Sequence, residues 1–166
     1  MEELAKRLEN IKEKIRQSAE NSGRCEEDIH LIAVTKTYEP DVINKAIELG
    51  VTDIGENKVQ EIIRKFPDVA PVRWHLIGHL QSNKVKYIID KVDMIHSLDS
   101  LKLAKEIDLR AKKINKTMDV LVEINSGREE AKGGLLPEEA EAFAYTVKTE
   151  YPHVSLAGVM TMAPVC

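Results

Sequence analysis

The chain has 166 residues, of which 43% are hydrophobic and 31% charged, and its formal net charge is −4. This composition is ordinary for one globular domain and excludes a largely disordered chain. Basic residues are scattered among acidic ones, and no apolar run approaches the roughly 20 residues of a membrane-spanning helix. We therefore expect no nucleic-acid partner and no membrane insertion.

The N-terminal segment predicts an amphipathic helix. Its apolar face is formed by residues spaced four, three and four apart, namely Leu4, Leu8, Ile11 and Ile15. The segment lacks the apolar centre of a signal peptide. The only cysteines, Cys25 and Cys166, have no metal-binding spacing. We therefore expect free thiols and a cytoplasmic protein.

Strand and helix patterns then alternate along the chain. Strands are predicted at 30–35, 52–55, 73–78, 92–97, 119–124 and 155–160. Helical segments lie near 40–49, 57–66, 82–90, 99–114 and 137–150. Pro40 suits a first helical turn and Gly50 a helix end, while Ser82 and Asp99 are expected N-caps. This alternation predicts a parallel sheet.

Two architectures fit such a sheet: an open doubly wound sheet and a (β/α)8 barrel of the TIM type. The open sheet commonly has a glycine-rich first βα loop, and residues 36–40 contain no glycine. Polar residues instead follow strand after strand, at Lys36, Glu56-Asn57, His79, His96-Ser97, Asn125-Ser126 and Thr161. Such convergence predicts a barrel, here a single domain over residues 1–166. We find six of eight strands, so we expect the barrel to be incomplete, without its last two strands.

Lys36 ends the first predicted strand, at the barrel mouth. A lysine that is partly buried there loses its proton more easily and can attack an aldehyde to form a Schiff base. A solvated lysine at a strand end is the alternative, and Lys36 taken alone favours that alternative.

Asn57 and His79 are candidates for the rim of the same pocket. Asn57 follows a glycine-bearing turn and can direct its amide at a ligand ring, or cap the next helix. His79 follows Gly78 and either lines the pocket or orders the loop by hydrogen bonding.

The end of the sixth strand offers Met160 and Thr161. Met160 can pack beneath a flat heteroaromatic ring or belong to the core, and Thr161 supplies a hydroxyl group. His75 is expected to be structural, and His96 and Ser97 to line the pocket.

Together these segments resemble the pyridoxal phosphate homeostasis protein family, which is similar to the barrel domain of alanine racemase without its second domain. The matching stretches are Ala33-Val-Thr-Lys-Thr37, Ile54-Gly-Glu-Asn-Lys-Val-Gln-Glu61, Trp74-His-Leu-Ile-Gly-His-Leu-Gln-Ser-Asn-Lys-Val-Lys86, His96-Ser-Leu-Asp-Ser100, Leu121-Val-Glu-Ile-Asn125 and Gly158-Val-Met-Thr-Met162. The resemblance implies that Lys36 holds pyridoxal 5′-phosphate as a Schiff base and that Asn57 lies near the cofactor ring. It also implies a role in intracellular vitamin B6 and amino-acid homeostasis, without ordinary catalytic turnover.

The sequence departs from the family at two places. Ala131 stands where a serine is common in the family. The family also has two further strands, whose Ser-Met-Gly-Met-Ser and Arg-Ile-Gly-Thr type turns hold the phosphate. Neither turn occurs in this sequence. We therefore expect weakened cofactor retention. One alternative to a homeostatic function is a racemase-like or other Schiff-base enzyme, although the tyrosine that alanine racemase draws from its second domain has no counterpart here. The other alternative is a fragment that binds nothing. We expect a monomer, with self-association through open barrel edges as the alternative.

Overall fold

The computed structural model describes residues 2–129 and 133–162. Within these ranges one sheet contains β1 (Ala33–Val34), β2 (Asp53–Glu56), β3 (Arg73–Leu76), β4 (Met94–Leu98), β5 (Met118–Ile124) and β6 (Val154–Thr161). All neighbouring pairs are parallel, and the order in the sheet is the order in the chain. A doubly wound sheet reverses direction at a switch point, whereas barrel strands follow one another. The barrel-type α/β fold is therefore confirmed, with six strands in the described part of the chain.

The helices flank this sheet in the predicted places. They are α1 (Glu2–Asn21), α2 (Pro40–Glu48), α3 (Val59–Lys65), α4 (Leu101–Lys113) and α5 (Ala140–Glu150). The segment between β3 and β4 forms a short 3₁₀ helix, Ser82–Tyr87, instead of the predicted longer helix, and another, Pro137–Glu139, precedes α5. None of the described helices is long and apolar enough to cross a membrane.

The helix boundaries confirm two of the sequence signals and correct two. Pro40 begins α2, and Gly50 follows that helix with a φ of 90°, a conformation that favours glycine. The N-cap of α4 is Ser100 rather than Asp99, because Ser100 has the extended backbone and its hydroxyl accepts a hydrogen bond from the Leu103 amide. Ser82 is the first residue of its 3₁₀ helix, so it is not a cap either.

The apolar core lies between the sheet and the helices. Successive side chains of a strand point to opposite faces, and one face of β2 to β5 is apolar apart from Glu56 at the end of β2. Its residues are buried against apolar side chains of α2 to α5, and the cluster includes Ile54, Leu76, Ile95, Val120, Ile43, Ile62, Ile107 and Val147. This layer holds the strands in place and leaves the opposite face, which we call the inner face, for other side chains.

The strand register aligns one row of the inner face. Val34, Gly55, His75 and Met94 form this row across β1 to β4. Two residues later in the chain, His96 still lies on β4, whereas Lys36, Asn57 and Ile77 lie in the loops that follow their strands. A bulge in β4 puts His96 and Ser97 at a single position, because Ile95 pairs with Val120 and Leu98 with Val122.

Candidate functional site

Lys36 lies in the turn that follows β1, at the carboxyl edge of the sheet. Its side chain is exposed, so the partial burial considered from the sequence is not observed. Among residues 2–129 and 133–162, no side chain forms a hydrogen bond or ion pair with its ammonium group. Lys36 is thus solvent-accessible and has no described partner, so an aldehyde can reach its side-chain nitrogen.

A buried polar network lies directly behind Lys36. The Nζ atom of Lys65, on α3, is 2.6 Å from Oε1 of Glu56, and both side chains are 0% exposed. Lys65 also donates to the carbonyl oxygen of Thr35 at 2.9 Å, and the Thr35 hydroxyl donates to Glu56 Oε1 at 2.7 Å. A buried ion pair of this kind is tolerated only with good geometry and additional hydrogen bonds.

The loops after β2 and β3 contact each other at the mouth. A Cβ atom on Gly78 would lie 2.4 Å from the carbonyl oxygen of Asn57, so only glycine permits this approach. Asn57 and His79 are both exposed at the edges of this contact. The predicted rim residues Asn57 and His79 are therefore neighbours.

Two carboxylates lie further along the sheet, that of Asp99 directly after β4 and that of Glu123 on β5. Nδ1 of His79 lies 3.8 Å from Oδ2 of Asp99, at a cavity of about 650 Å³ that is also lined by Gln81, Asn83 and Lys102. Glu123 of β5 is partly buried, and burial, together with the negative charge of Asp99, raises the pKa of its carboxyl group. Glu123 therefore holds a proton at higher pH than an ordinary glutamate.

Two histidines and an aspartate are linked on the inner face below the mouth. His75 Nε2 is 2.8 Å from Asp53 Oδ1, and His75 Nδ1 is 2.9 Å from His96 Nε2. Burial, and secondarily the nearby His75, lowers the pKa of His96 to about 4. Burial raises the pKa of Asp53, but hydrogen bonds from Thr52 and His75 lower it on balance. The resulting chain is an ionised aspartate followed by two rings, of which His96 is neutral at neutral pH.

Met160 and Thr161 lie on opposite faces of β6. Met160 pairs with Glu123 and is half-buried on the inner face. Thr161 pairs with Ile124, its hydroxyl donates to the Ile124 carbonyl at 2.9 Å, and it lies 2.8 Å from the Ser126 hydroxyl. Thr161 is thus engaged within the protein, whereas Met160 faces the same side as His96.

The sequence and the fold both match known proteins. Residues 7–165 match the alanine racemase N-terminal domain family. The pyridoxal phosphate homeostasis protein of Aquifex aeolicus is 45% identical over 161 residues, which cover 95% of this chain and 70% of that protein. The chain belongs to the pyridoxal phosphate homeostasis protein family.

Solved structures agree with this family assignment. An unknown protein from Bifidobacterium adolescentis superposes with a TM-score of 0.86 at 34% identity, covering 98% of this chain and 70% of that one. PipY from Synechococcus elongatus, in a structure with PLP bound, gives a TM-score of 0.75 at 29% identity, covering 92% of this chain and 71% of that one. The resemblance inferred from the sequence is thereby confirmed.

Within this family member, the structure brings some predicted residues together and separates others. Lys36 and Asn57 lie in the loops that follow the neighbouring strands β1 and β2, and His79 neighbours Asn57 across the loop contact. Thr161 lies on the other face from Met160. The roles of all five as cofactor contacts stay predictions. Ala131 lies outside the described residues.

Three residues of the site were not recognised from the sequence: Asp53, Glu56 as a buried acid, and Lys65. The burial of Lys65 could have been predicted from the spacing of residues in its helix. Val59, Ile62 and Lys65 recur every three residues, so the lysine lies on the buried face of α3. A lysine on an apolar helix face needs a buried acceptor, and Glu56 is that acceptor. For Asp53, only the pairing of β2 with β3, and of β3 with β4, reveals the neighbouring side chains.

Proposed function

We propose that this chain binds pyridoxal 5′-phosphate through Lys36 and serves cofactor and amino-acid homeostasis rather than the turnover of a substrate. The observation that carries the proposal is the exposed amine of Lys36 at the carboxyl edge of the sheet, which has no partner among the residues that the structure describes. The Aquifex relative's name and the PipY structure with PLP bound support the choice of cofactor. When bound, pyridoxal phosphate supplies an aldehyde that condenses with a lysine amine, releasing water.

The residues at the mouth fit this group. Lys36 provides the amine, and the loop contact between Gly78 and Asn57 fixes the neighbouring rim beside it. We assign Asn57 and His79 to the rim of the cofactor site and Met160 to an apolar contact with its ring. The hydroxyl contact that we also assign to Thr161 requires its hydroxyl to turn away from the Ile124 carbonyl. The free amine, the rim and the half-buried methionine are the chain's own contributions.

The test is an absorbance titration with pyridoxal 5′-phosphate on the wild-type chain and on Lys36→Ala. The expected result is a new imine band in the wild type, fixed by borohydride as a mass increase on Lys36 and absent from the variant. Lys58→Ala is the matched control, because Lys58 is another exposed lysine in the loop after β2. An imine that persists in Lys36→Ala, or none in the wild type, would overturn the proposal.

A second candidate function, a Schiff-base enzyme, is favoured by Glu123. A carboxyl group with a raised pKa near the mouth can act as a general acid toward a bound ligand. The two functions are separated by following loss of the α-proton of amino acids in deuterated buffer with cofactor present. Exchange faster than with free cofactor, and lost in Glu123→Gln, favours the enzyme, whereas no acceleration favours the binding role.

We further propose that residues 1–166 act as one cofactor-binding domain, as a monomer in the cytoplasm, with a small molecule rather than a nucleic acid as ligand. The scattered charges and the net charge of −4 support the last point. Cys25, which is free and exposed, fits a reducing compartment.

A further inference from the structure

We propose that Lys65, together with Glu56, positions Lys36 for its reaction with an aldehyde. Lys65 does not reach the mouth itself, since its side chain is 0% exposed. It acts on the backbone from which Lys36 projects. The proposal rests on the proposed function, because it concerns the same lysine.

The contact that carries the inference is the bond from Lys65 Nζ to the Thr35 carbonyl oxygen, at 2.9 Å. That oxygen belongs to the peptide unit that also contains the nitrogen and the Cα atom of Lys36. A peptide unit is planar and moves as one body, so an anchor on its oxygen fixes the Cα of Lys36 as well. The Tyr38 amide donates to the same oxygen at 3.0 Å and closes the turn.

Glu56 completes the anchor from the neighbouring strand. Its Oε1 accepts from Lys65 and from the Thr35 hydroxyl, so Thr35 is held through both its carbonyl and its side chain. Glu61 adds a second carboxylate, 3.3 Å from the Lys65 ammonium. The charge of Lys65 is therefore neutralised by carboxylates within the network. Lys65 acts on Lys36 by fixing the backbone of Lys36, and not through its electric field.

The cost of this arrangement argues that it serves more than packing. Lys65 lies on the buried face of α3 where Val59 and Ile62 are apolar, and an apolar residue there would bury no charge. Glu56 Oε2 has no hydrogen-bond partner among the described residues. A buried ion pair that leaves one oxygen unsatisfied is a poor way to stabilise a strand, but it fixes one peptide unit from two directions.

The chain contains a matched control. Lys116 is also partly buried and donates to two backbone carbonyls, those of Ile89 and Val92, at 3.2 and 2.5 Å. Both carbonyls belong to the segment that precedes β4, and neither belongs to the turn that follows β1. Lys116→Met therefore removes the same kind of interaction without touching the turn of Lys36.

The experiment compares Lys65→Met/Glu56→Gln with Lys116→Met and the wild type. The double variant removes both charges together, so no unpaired ion is left buried. Imine formation is followed at increasing pyridoxal phosphate concentrations, which separates the initial binding constant from the rate constant of the covalent step. We expect the covalent step to slow by about 10- to 100-fold in the double variant, with initial binding and the Lys116→Met rates within about threefold of the wild type.

A second measurement needs no cofactor. Hydrogen exchange at the Tyr38 amide reports the turn directly, and reductive methylation of Lys36 relative to Lys58 reports its reactivity. We expect faster Tyr38 exchange and altered Lys36 methylation in the double variant alone. Thr35→Val, which removes only the hydroxyl contact, is expected to show the same changes to a smaller degree, and it replaces the double variant if that chain does not fold.

The outcomes separate the two proposals. Wild-type covalent rates and wild-type Tyr38 protection in the double variant, or in its replacement, would overturn the positioning role. If the wild type forms no imine at Lys36, the proposed function fails, while Tyr38 exchange and Lys36 methylation still decide whether Lys65 holds the turn. Equal slowing in Lys116→Met would also count against positioning, because it would reveal a general loss of rigidity.

Discussion

The Nε2 atom of His96 lies 2.9 Å from the Nδ1 atom of His75, and both rings are buried on the inner face of the sheet. Asp53 accepts from the far nitrogen of His75, so that nitrogen carries a proton. When His75 is neutral, its Nδ1 atom accepts from His96, and the other nitrogen of His96 is left as an acceptor. Protonation of His96 places its proton on that other nitrogen and leaves a charged ring buried beside His75, which is unfavourable.

The first prediction concerns stability in acid. An unfolded His96 takes up a proton below its ordinary pKa of 6.5, whereas the folded group does so only near 4. Between these values the unfolded chain binds more protons, so the free energy of unfolding falls as the pH falls, by up to about 3 kcal/mol. Urea unfolding across this range is expected to show a flatter pH dependence in His96→Gln. His30→Gln, at an exposed histidine, should retain the wild-type slope; equal slopes for all three chains would contradict the assignment.

The second prediction concerns the buried ion pair. Lys65→Met leaves the Glu56 carboxylate buried without its main partner, so we expect a loss of about 3–5 kcal/mol in the free energy of unfolding. The added change Glu56→Gln should recover part of that loss. Lys36→Ala, at an exposed side chain, should stay within about 0.5 kcal/mol of the wild type. Urea unfolding measures all three, and a Lys65→Met chain as stable as the wild type would show that the pair is not needed for folding.

The third prediction concerns the loop contact at the mouth. In Gly78→Ala the new Cβ would lie 2.4 Å from the Asn57 carbonyl oxygen, and backbone must move to admit it. We expect a loss of about 1–3 kcal/mol, measured by urea unfolding, and weaker pyridoxal phosphate binding because Asn57 is displaced. Gly133→Ala is the control, since its nearest neighbour would be Asp99 Oδ2 at 3.8 Å. A stable Gly78→Ala chain would mean that the two loops separate easily.

The fourth prediction concerns the sheet edge. Within the described ranges β6 pairs only with β5, and Val159 on β6 is 67% exposed. Open strand edges pair with other chains, so we expect a monomer in dilute solution and association as the concentration rises. Sedimentation velocity should show less association for Val159→Lys than for Leu109→Lys, which places the same charge on α4. A wild-type chain that stays monomeric at every concentration would exclude this edge as an interface.

The sequence predicted the fold well because local patterns determine it. Strands and helices alternate as predicted, and Pro40 and Gly50 bound α2, although β1 has only two residues, Ala33–Val34, where 30–35 was predicted. The predicted helix after β3 is wrong in type, since six residues of 3₁₀ helix replace it. The N-cap of α4 was displaced by one residue, because an aspartate followed by a serine offers two candidates of similar strength.

The site was harder to predict, and the reason is tertiary. Lys36 was found because it ends an apolar strand, a local signal. Asp53, His75 and His96 come from three strands, and only the register shows that their side chains meet. Lys65 and Glu56 belong to α3 and β2, and the carbonyl that they hold is invisible in any side-chain pattern.

The division of the sheet into an apolar outer face and a polar inner face has an evolutionary consequence. The strands are held by residues such as Ile54, Leu76 and Val120, which pack on helices and never meet a ligand. Changes among Asp53, His75, His96 and Glu123 leave that layer intact. A lineage can therefore alter which molecule the mouth accepts, or which proton it moves, by substituting side chains outside the apolar layer that holds the strands. One scaffold is thus open to new chemistry through mutations that leave its apolar layer in place.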